Sequence, residues 1–451
     1  MKHFICTLLW VLHAARAQAA WTPFADTTLN VSQIAVSQPE TRGIYLGSPS
    51  LLRLPSGALL ASHDHFGPGT AWGQRTAFVR SSSDDGQSWS DAASGAVSSM
   101  YWATLFRRET DPPSTVFLFG VSNDGNVAGQ PAQAAISRSV DGGATWSSPA
   151  TLLTNSTKSF STGPTPIVSV GGRLWRALEH NVGAGWGAGY SVVVISCAAD
   201  APDLLDPAAW VLSGELPFAG EVASRVPPSW ARTGVTPSYG WLEGNAVDPG
   251  DSGATGIRVM LRVNSLPAAN KAALVSLAAP TATPQFMSFV DFPGGMTKFT
   301  VRRDAVTGLF VTLSNNISDD SVSFPPSCAA LAPPTKDLPC CGFLTTCVGG
   351  EAAPMCLWCH AVARNVLTLA VSASLDSGWR VVEVVLADDT GTPAYLSELL
   401  VGFQYVDWQF EGEDIIFAVR AAYRGANQYH NANRHFFGSV SGWRAKVNAT
   451  L

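Results

Sequence analysis

Two segments of this chain repeat one pattern. Ser82-Ser83-Asp84-Asp85-Gly86-Gln87-Ser88-Trp89 and Ser139-Val140-Asp141-Gly142-Gly143-Ala144-Thr145-Trp146 both read S-x-D-x-G-x-x-W. They begin 57 residues apart, and each follows an apolar run that closes on Arg-Ser. The pattern describes a folded turn: Asp accepts backbone N–H bonds, Gly supplies positive φ, and Trp buries its ring between neighbouring sheets. A third copy, Ser374-Leu375-Asp376-Ser377-Gly378-Trp379, lacks two residues before its Trp. Asp84 and Asp141 are the turn acceptors of the two full copies. A sheet module repeating at this spacing buries its faces against copies of itself, which favours a ring or stack of blades over a single sandwich.

The rest of the chain agrees. Strand-like runs bounded by Gly, Pro, Asn or Asp recur, among them 58–63, 76–81, 134–139, 191–196, 257–263, 309–314, 366–372 and 381–386. One helical turn is expected within 198–210, and no long amphipathic helix is found. With 46% hydrophobic and 14% charged residues among 451, the composition excludes a disordered chain. The 28 Lys+Arg against 34 Asp+Glu, without a basic run, argue against nucleic acid as a partner.

The N-terminus carries Met-Lys-His, an apolar stretch from Phe4 to Leu12, and Ala17-Gln18-Ala19. That is the layout of a secretory signal peptide over residues 1–19, leaving 20–451 as an exported chain. No other segment reaches the roughly 18 apolar residues of a membrane span. Cys328, Cys340, Cys341, Cys347, Cys356 and Cys359 crowd into an insertion at 328–359, which an oxidising compartment would staple with three disulfides. Zinc at Cys356-x-x-Cys359-His360 is the alternative there. Cys197 is expected to be a buried thiol, and Asn30, Asn155, Asn316 and Asn448 head glycosylation sequons.

The S-x-D-x-G-x-x-W repeat resembles the Asp-box (BNR) repeat of the sialidase superfamily, and the resemblance extends over most of residues 20–451. It implies an all-β, six-bladed β-propeller, with seven blades the alternative that the length allows. Trp241-Leu242-Glu243-Gly244-Asn245, followed by Arg262, is similar to the family's Glu-Gly segment and the second of its three carboxylate-clamping arginines. Arg364-Asn365 is similar to the segment carrying the third. Gly402-Phe403-Gln404-Tyr405-Val406-Asp407-Trp408 is similar to the segment whose Tyr is the nucleophile, so that the order Glu, Arg, Arg, Tyr is kept. The first clamp arginine has no counterpart, because Gly47 stands at its place in Gly47-Ser48-Pro49-Ser50-Leu51.

These residue types suit the chemistry. Arg offers a planar charged fork to a carboxylate, while a Tyr hydroxyl needs a neighbouring base, here Glu243. Sialidases carry their general-acid Asp on the loop before the first Asp box, where this chain has Ser62-His63-Asp64-His65-Phe66. Alternation puts His63 and His65 on one face, and either can serve as acid/base. Metal ligation there, with His180, is the alternative, and no metal or other cofactor is expected. Asp64, Arg75, His180 and His430 are assigned to substrate binding, with Arg420 and Tyr423 close before the last. Trp72, Trp102, Trp186 and Trp408 could stack on sugar rings, although most Trp residues belong to a core. The structural alternative is an inter-blade ion-pair network of Glu243, Arg262 and Arg364, with Tyr405 a core aromatic.

The expected function is a secreted sialidase-like glycoside hydrolase on an acidic glycan. Its alternatives are a propeller lyase on uronate polysaccharides, with Tyr or His abstracting the C5 proton, and a non-catalytic glycan-binding propeller.

Overall fold

A computed structural model describes residues 29–450 except 38–41, 71–75, 92–94, 123–130, 154–157, 182–186, 232–238, 251–255, 266–267, 318–361 and 427. The signal segment, the cysteine-rich insertion, Trp72, Arg75, Trp186 and the Asn155 sequon lie outside the described residues.

Among the described residues six sheets of four or more strands follow one another along the chain, beside one two-stranded pairing. Blade 1 comprises Ser50–Arg53, Leu59–His63, Thr76–Ser82 and Val97–Ser98. Blade 2 comprises Tyr101–Phe106, Val116–Ser122, Gln133–Ser139 and Ala150–Leu153. Blade 3 is built on the long hairpin Arg173–Asn181 and Tyr190–Ala198, flanked by Ser159–Ser161, Val168–Val170, Trp210–Leu212 and Leu216–Pro217. Blade 4 runs Gly240–Val247, Ile257–Asn264, Lys271–Leu277 and Gln285–Asp291. Blade 5 runs Thr300–Arg303, Phe310–Ser314, Val366–Ser372 and Arg380–Ala387. Blade 6 takes Gly402–Glu411, Asp414–Ala422 and Arg434–Val440 from the C-terminal end and its outer strand, Val31–Val36, from the N-terminal end. That last pairing closes the ring without a free sheet edge at the seam. The count is six, not seven.

Each inter-blade gap carries its own apolar cluster, as a ring of self-burying modules requires. The gap between blades 5 and 6, for instance, holds Leu313, Leu369, Phe403 and Trp408. Trp408, one of the candidate sugar-stacking residues, is wholly buried there and donates its indole N–H to Thr300 O at 2.9 Å.

The three S-x-D segments all join the third to the fourth strand of a blade, in blades 1, 2 and 5. The two full copies form the same turn. Asp84 accepts from Ser82 Oγ at 2.8 Å and Ser88 N at 2.9 Å, and Asp141 accepts from Ser139 Oγ at 2.7 Å and Thr145 N at 2.9 Å. These bonds, led by the Ser88 and Thr145 side chains, pull both carboxyls down to about 2. Gly86 sits at φ +80°, and a Cβ there would stand 2.3 Å from the Phe437 ring of blade 6. Trp89 meets that ring edge-on at 5.6 Å, so the turn also locks neighbouring blades together. The shortened copy keeps an Asp376–Ser374 bond of 2.6 Å, and Trp379 donates to Leu375 O rather than to a glycine.

The expected helical turn is the 3-10 turn Pro207–Ala209, capped by Asp206, which accepts from Ala208 N at 2.9 Å. Cys197 is a free, buried thiol in blade 3, which burial pushes up to about 12. Asn30 and Asn448 are exposed and Asn316 half-buried. Among the described residues no helix is long and apolar enough to cross a membrane.

Candidate active site

The innermost strands of blades 2, 4 and 6 share one irregularity. In blade 4, Leu242 pairs with Arg262 and Asn245 with Met260, so that two residues oppose one. Blade 6 repeats this with Gln404 opposite Arg420 and Asp407 opposite Ala418, and blade 2 with Tyr101 opposite Val121 and Thr104 opposite Phe119. The first extra residue takes positive φ each time: Trp102 at 51°, Glu243 at 56° and Tyr405 at 53°. Left-handed backbone is uphill for such residues, and bulges of this kind re-aim side chains at functional sites.

The re-aimed Glu243 and Tyr405 meet at one guanidinium. Arg262 Nη1 donates to Glu243 Oε2 at 2.9 Å and to Tyr405 OH at 3.1 Å, while its Nε donates to Met296 O at 2.8 Å. Glu243 and Arg262 are both buried, and Tyr405 is half-buried. Burial works against the Arg262 charge, but Glu243 and Tyr405 outweigh it and hold the group above its usual value.

Arg364 reaches the same place from the segment before blade 5's third strand. It donates to Gln404 Oε1, and its guanidinium lies 5.7 Å from the Tyr405 ring centre and 4.9 Å from that of Tyr429. Arg420 closes in from blade 6, at 4.9 Å from the Tyr405 ring and 4.4 Å from Phe66. Burial lowers both arginines, Arg420 to about 10. His430, exposed, is held well below its usual value by desolvation from the protein around it and then by Arg420, Arg364 and Arg262.

Asp64 is buried where blade 1's second strand gives way to a short pairing of His65–Phe66 with Tyr45–Leu46. Its carboxylate fills the space above Gly47: a Cβ on that glycine would lie 2.1 Å from Asp64 Oδ1. A side chain at position 47 would collide with Asp64 as it stands, so the place at which the resemblance implies a first clamp arginine has no room for one.

A scan against protein families and a search of curated proteins find no match to the sequence. Solved structures do match. A Hadza microbial sialidase superposes with TM-score 0.51 at 11% identity, over 89% of this chain and 66% of its own, so the chain spans just under two thirds of that enzyme. The intramolecular trans-sialidase of Ruminococcus gnavus gives TM-score 0.51 at 13% identity, covering 91% of this chain and 97% of that one. An alpha-L-arabinanase of Penicillium chrysogenum gives 0.51 at 12%, covering 92% and 99%. The fold is that of the sialidase-like six-bladed propellers. Its neighbours in structure are propeller glycosidases of more than one specificity.

Within this sialidase-like propeller the histidines flanking Asp64 make ring contacts with residues of blades 1 and 6. His63 and His65 share a face, with ring centres 5.3 Å apart, but their other ring contacts are Phe78 and His435. Burial, with the positive charge of Arg80 nearby, lowers both, His65 to about 4 and His63 well below its usual value. Both shifts disfavour the charged imidazolium at these two positions. His180 lies against Phe160 at 4.2 Å and is bonded to Glu215 at 2.9 Å. Trp102 stands at the third bulge, edge-on to Tyr101 at 4.9 Å.

Sequence reasoning left Arg420 without a role and missed a set of buried charges altogether. Arg176, Glu179, Lys298 and Asp407 are all buried. Arg176, Glu179 and Asp407 are charges set in strands and Lys298 lies just before one, and, as with Arg420 in Ile-Ile-Phe-Ala-Val-Arg-Ala-Ala over 415–422, a charge amid apolar residues was the available signal. Glu179 Oε1 accepts from Gly244 N at 2.8 Å and so pins the Glu243 bulge. Burial first, with Glu243 adding to it, pushes Glu179 up to about 7, against the pull of the Gly244 N–H. Native Glu179 thus holds its proton more tightly than the unfolded chain, whose carboxyl titrates near 4.5. Stability from this group is present below that value and is lost as pH rises through 7. Glu179→Gln keeps the acceptor and removes the titration. Its stability relative to wild type is expected to rise between pH 5 and 8 by on the order of 2–3 kcal/mol. Urea unfolding at both pH values measures this; a difference independent of pH would show that Glu179 is not the titrating group.

Proposed function

We propose that the chain is an exported glycoside hydrolase of the sialidase type acting on an acidic glycan. The observation that supports this most is the meeting of Glu243, Arg262 and Tyr405, from far-separated segments, through one guanidinium nitrogen. Arg364, buried and without a carboxylate partner among the described residues, stands beside them ready for an anion.

In this reading the Tyr405 oxygen bonds to the anomeric carbon as its proton passes to Glu243, and Arg262 holds the two residues in place. The glycosidic C–O bond breaks, and its oxygen takes a proton from Asp64. Water then attacks the tyrosyl-linked sugar, giving its proton to Asp64, and the phenol recovers its own from Glu243. The arginines grip the substrate carboxylate throughout and orient the anomeric carbon.

Purified protein incubated with sialosides, uronate polysaccharides and arabinan tests the reading. Release of a free acidic sugar is the expected result. Unsaturated products absorbing in the ultraviolet would replace hydrolysis by elimination, arabinose release would remove the acidic substrate, and binding without any product would leave a lectin.

A further inference from the structure

Arg420 is to Tyr405 what Arg262 is to Glu243. Both arginines lie on the second strand of their blade, directly opposite the residue that precedes the bulge: Arg262 faces Leu242, and Arg420 faces Gln404. Blades 4 and 6 therefore present the same module, a re-aimed polar side chain with a guanidinium on the neighbouring strand. The two copies differ in one respect. Arg262 has Glu243 as its counter-ion, whereas no carboxylate forms an ion pair with Arg420 among the described residues. Arg420 is 4% exposed and donates from Nη2 to His430 O at 2.5 Å. That nitrogen also lies 3.4 Å from His430 Nδ1, and Nε is buried without a partner.

Its electrostatic neighbours are Tyr405, Arg364, Asp64 and Glu243. With Arg262 this set holds more guanidiniums than carboxyl groups among the described residues, and desolvation first, then the arginines, disfavour a further charge on His430. Positive charge is in excess there among the described residues. A buried cation without a counter-ion costs stability and is kept where a ligand supplies the missing charge.

We propose that Arg420 is an anion-binding residue that receives the carboxylate of an acidic sugar from the blade 6 side of the pocket. The inference rests on the acidic-glycan reading and assigns to Arg420 the contact that Gly47 cannot make. Phe66 and Tyr405 flank the guanidinium and the His430 carbonyl fixes one end, so its orientation is set before the ligand arrives. An acidic sugar, a sialic or a uronic acid, supplies the counter-ion that Arg420 lacks among the described residues, and a neutral arabinoside does not.

The test compares wild type, Arg420→Met and Arg420→Lys, each titrated calorimetrically with N-acetylneuraminate, glucuronate and arabinose, and melted without ligand. Wild type is expected to bind one or both acids and not arabinose. R420M is expected to bind that acid at least tenfold more weakly and to melt, ligand-free, no lower than wild type, because a buried uncompensated charge has gone. R420K keeps the charge without the fork and is expected to fall between the two. Acid binding by R420M equal to that of wild type overturns the inference alone. A ligand-free melting temperature depressed in both variants, with affinity unchanged, makes Arg420 a structural pin and overturns it likewise. Wild type that binds neither acid overturns the acidic-glycan reading and this inference with it.

Discussion

Tyr405→Phe is expected to lower kcat on the cleaved glycan by about 10³-fold or more while leaving the folded protein intact. The hydroxyl is the bond-forming atom in the proposed reaction, and a phenyl ring offers no substitute. Structurally the substitution removes little. Arg262 loses one acceptor at 3.1 Å but keeps Glu243 at 2.9 Å and Met296 O at 2.8 Å. The stability cost is about 1 kcal/mol, which in a chain of this size moves Tm by only about 1–2 °C. Steady-state kinetics and a thermal melt on the same preparation separate the two effects. Turnover within tenfold of wild type would remove Tyr405 from the chemistry.

Arg262→Met has the largest expected effect on stability. Glu243 and Arg262 have side chains only 8% and 5% exposed, so methionine leaves a buried carboxylate without its partner. Breaking such a pair costs about 3–5 kcal/mol. The lower end applies, because Arg364 and Arg420 also feel the charge of Glu243. Adding Glu243→Gln removes the stranded charge and is expected to recover most of the loss, while glycan turnover stays absent in both variants. Urea denaturation of the four proteins of this cycle measures the coupling. Strictly additive losses would mean that the two side chains do not depend on each other.

How far the site was legible depends on how each residue announces itself. Glu243, Arg262, Arg364 and Tyr405 could be named because they keep their order and neighbours along the chain, and the structure brings them within contact of one another. His63 and His65 could not be judged from alternation alone. Alternation placed both on one face, but which rings that face meets, here Phe78 and His435, depends on the neighbouring strand and the adjacent blade. Asp64 could be located but not given its part, because its consequence for Gly47 arises from a chain reversal that puts the two side by side. Arg420 was visible as a charge in an apolar strand; nothing local says that its counter-ion is missing.

The sequence by itself determined the architecture. Turn chemistry such as that of Ser82-Ser83-Asp84-Asp85-Gly86 and the spacing of short apolar runs are local properties, and repeated modules that can bury their faces only on each other close into a ring. Only the tertiary structure decided the number of blades, the use of Val31–Val36 to complete the sixth, and the balance of charge at the axis. Those depend on which side chains, hundreds of residues apart, share one small volume shielded from water. There a carboxylate beside a guanidinium, or its absence, sets what the pocket can hold.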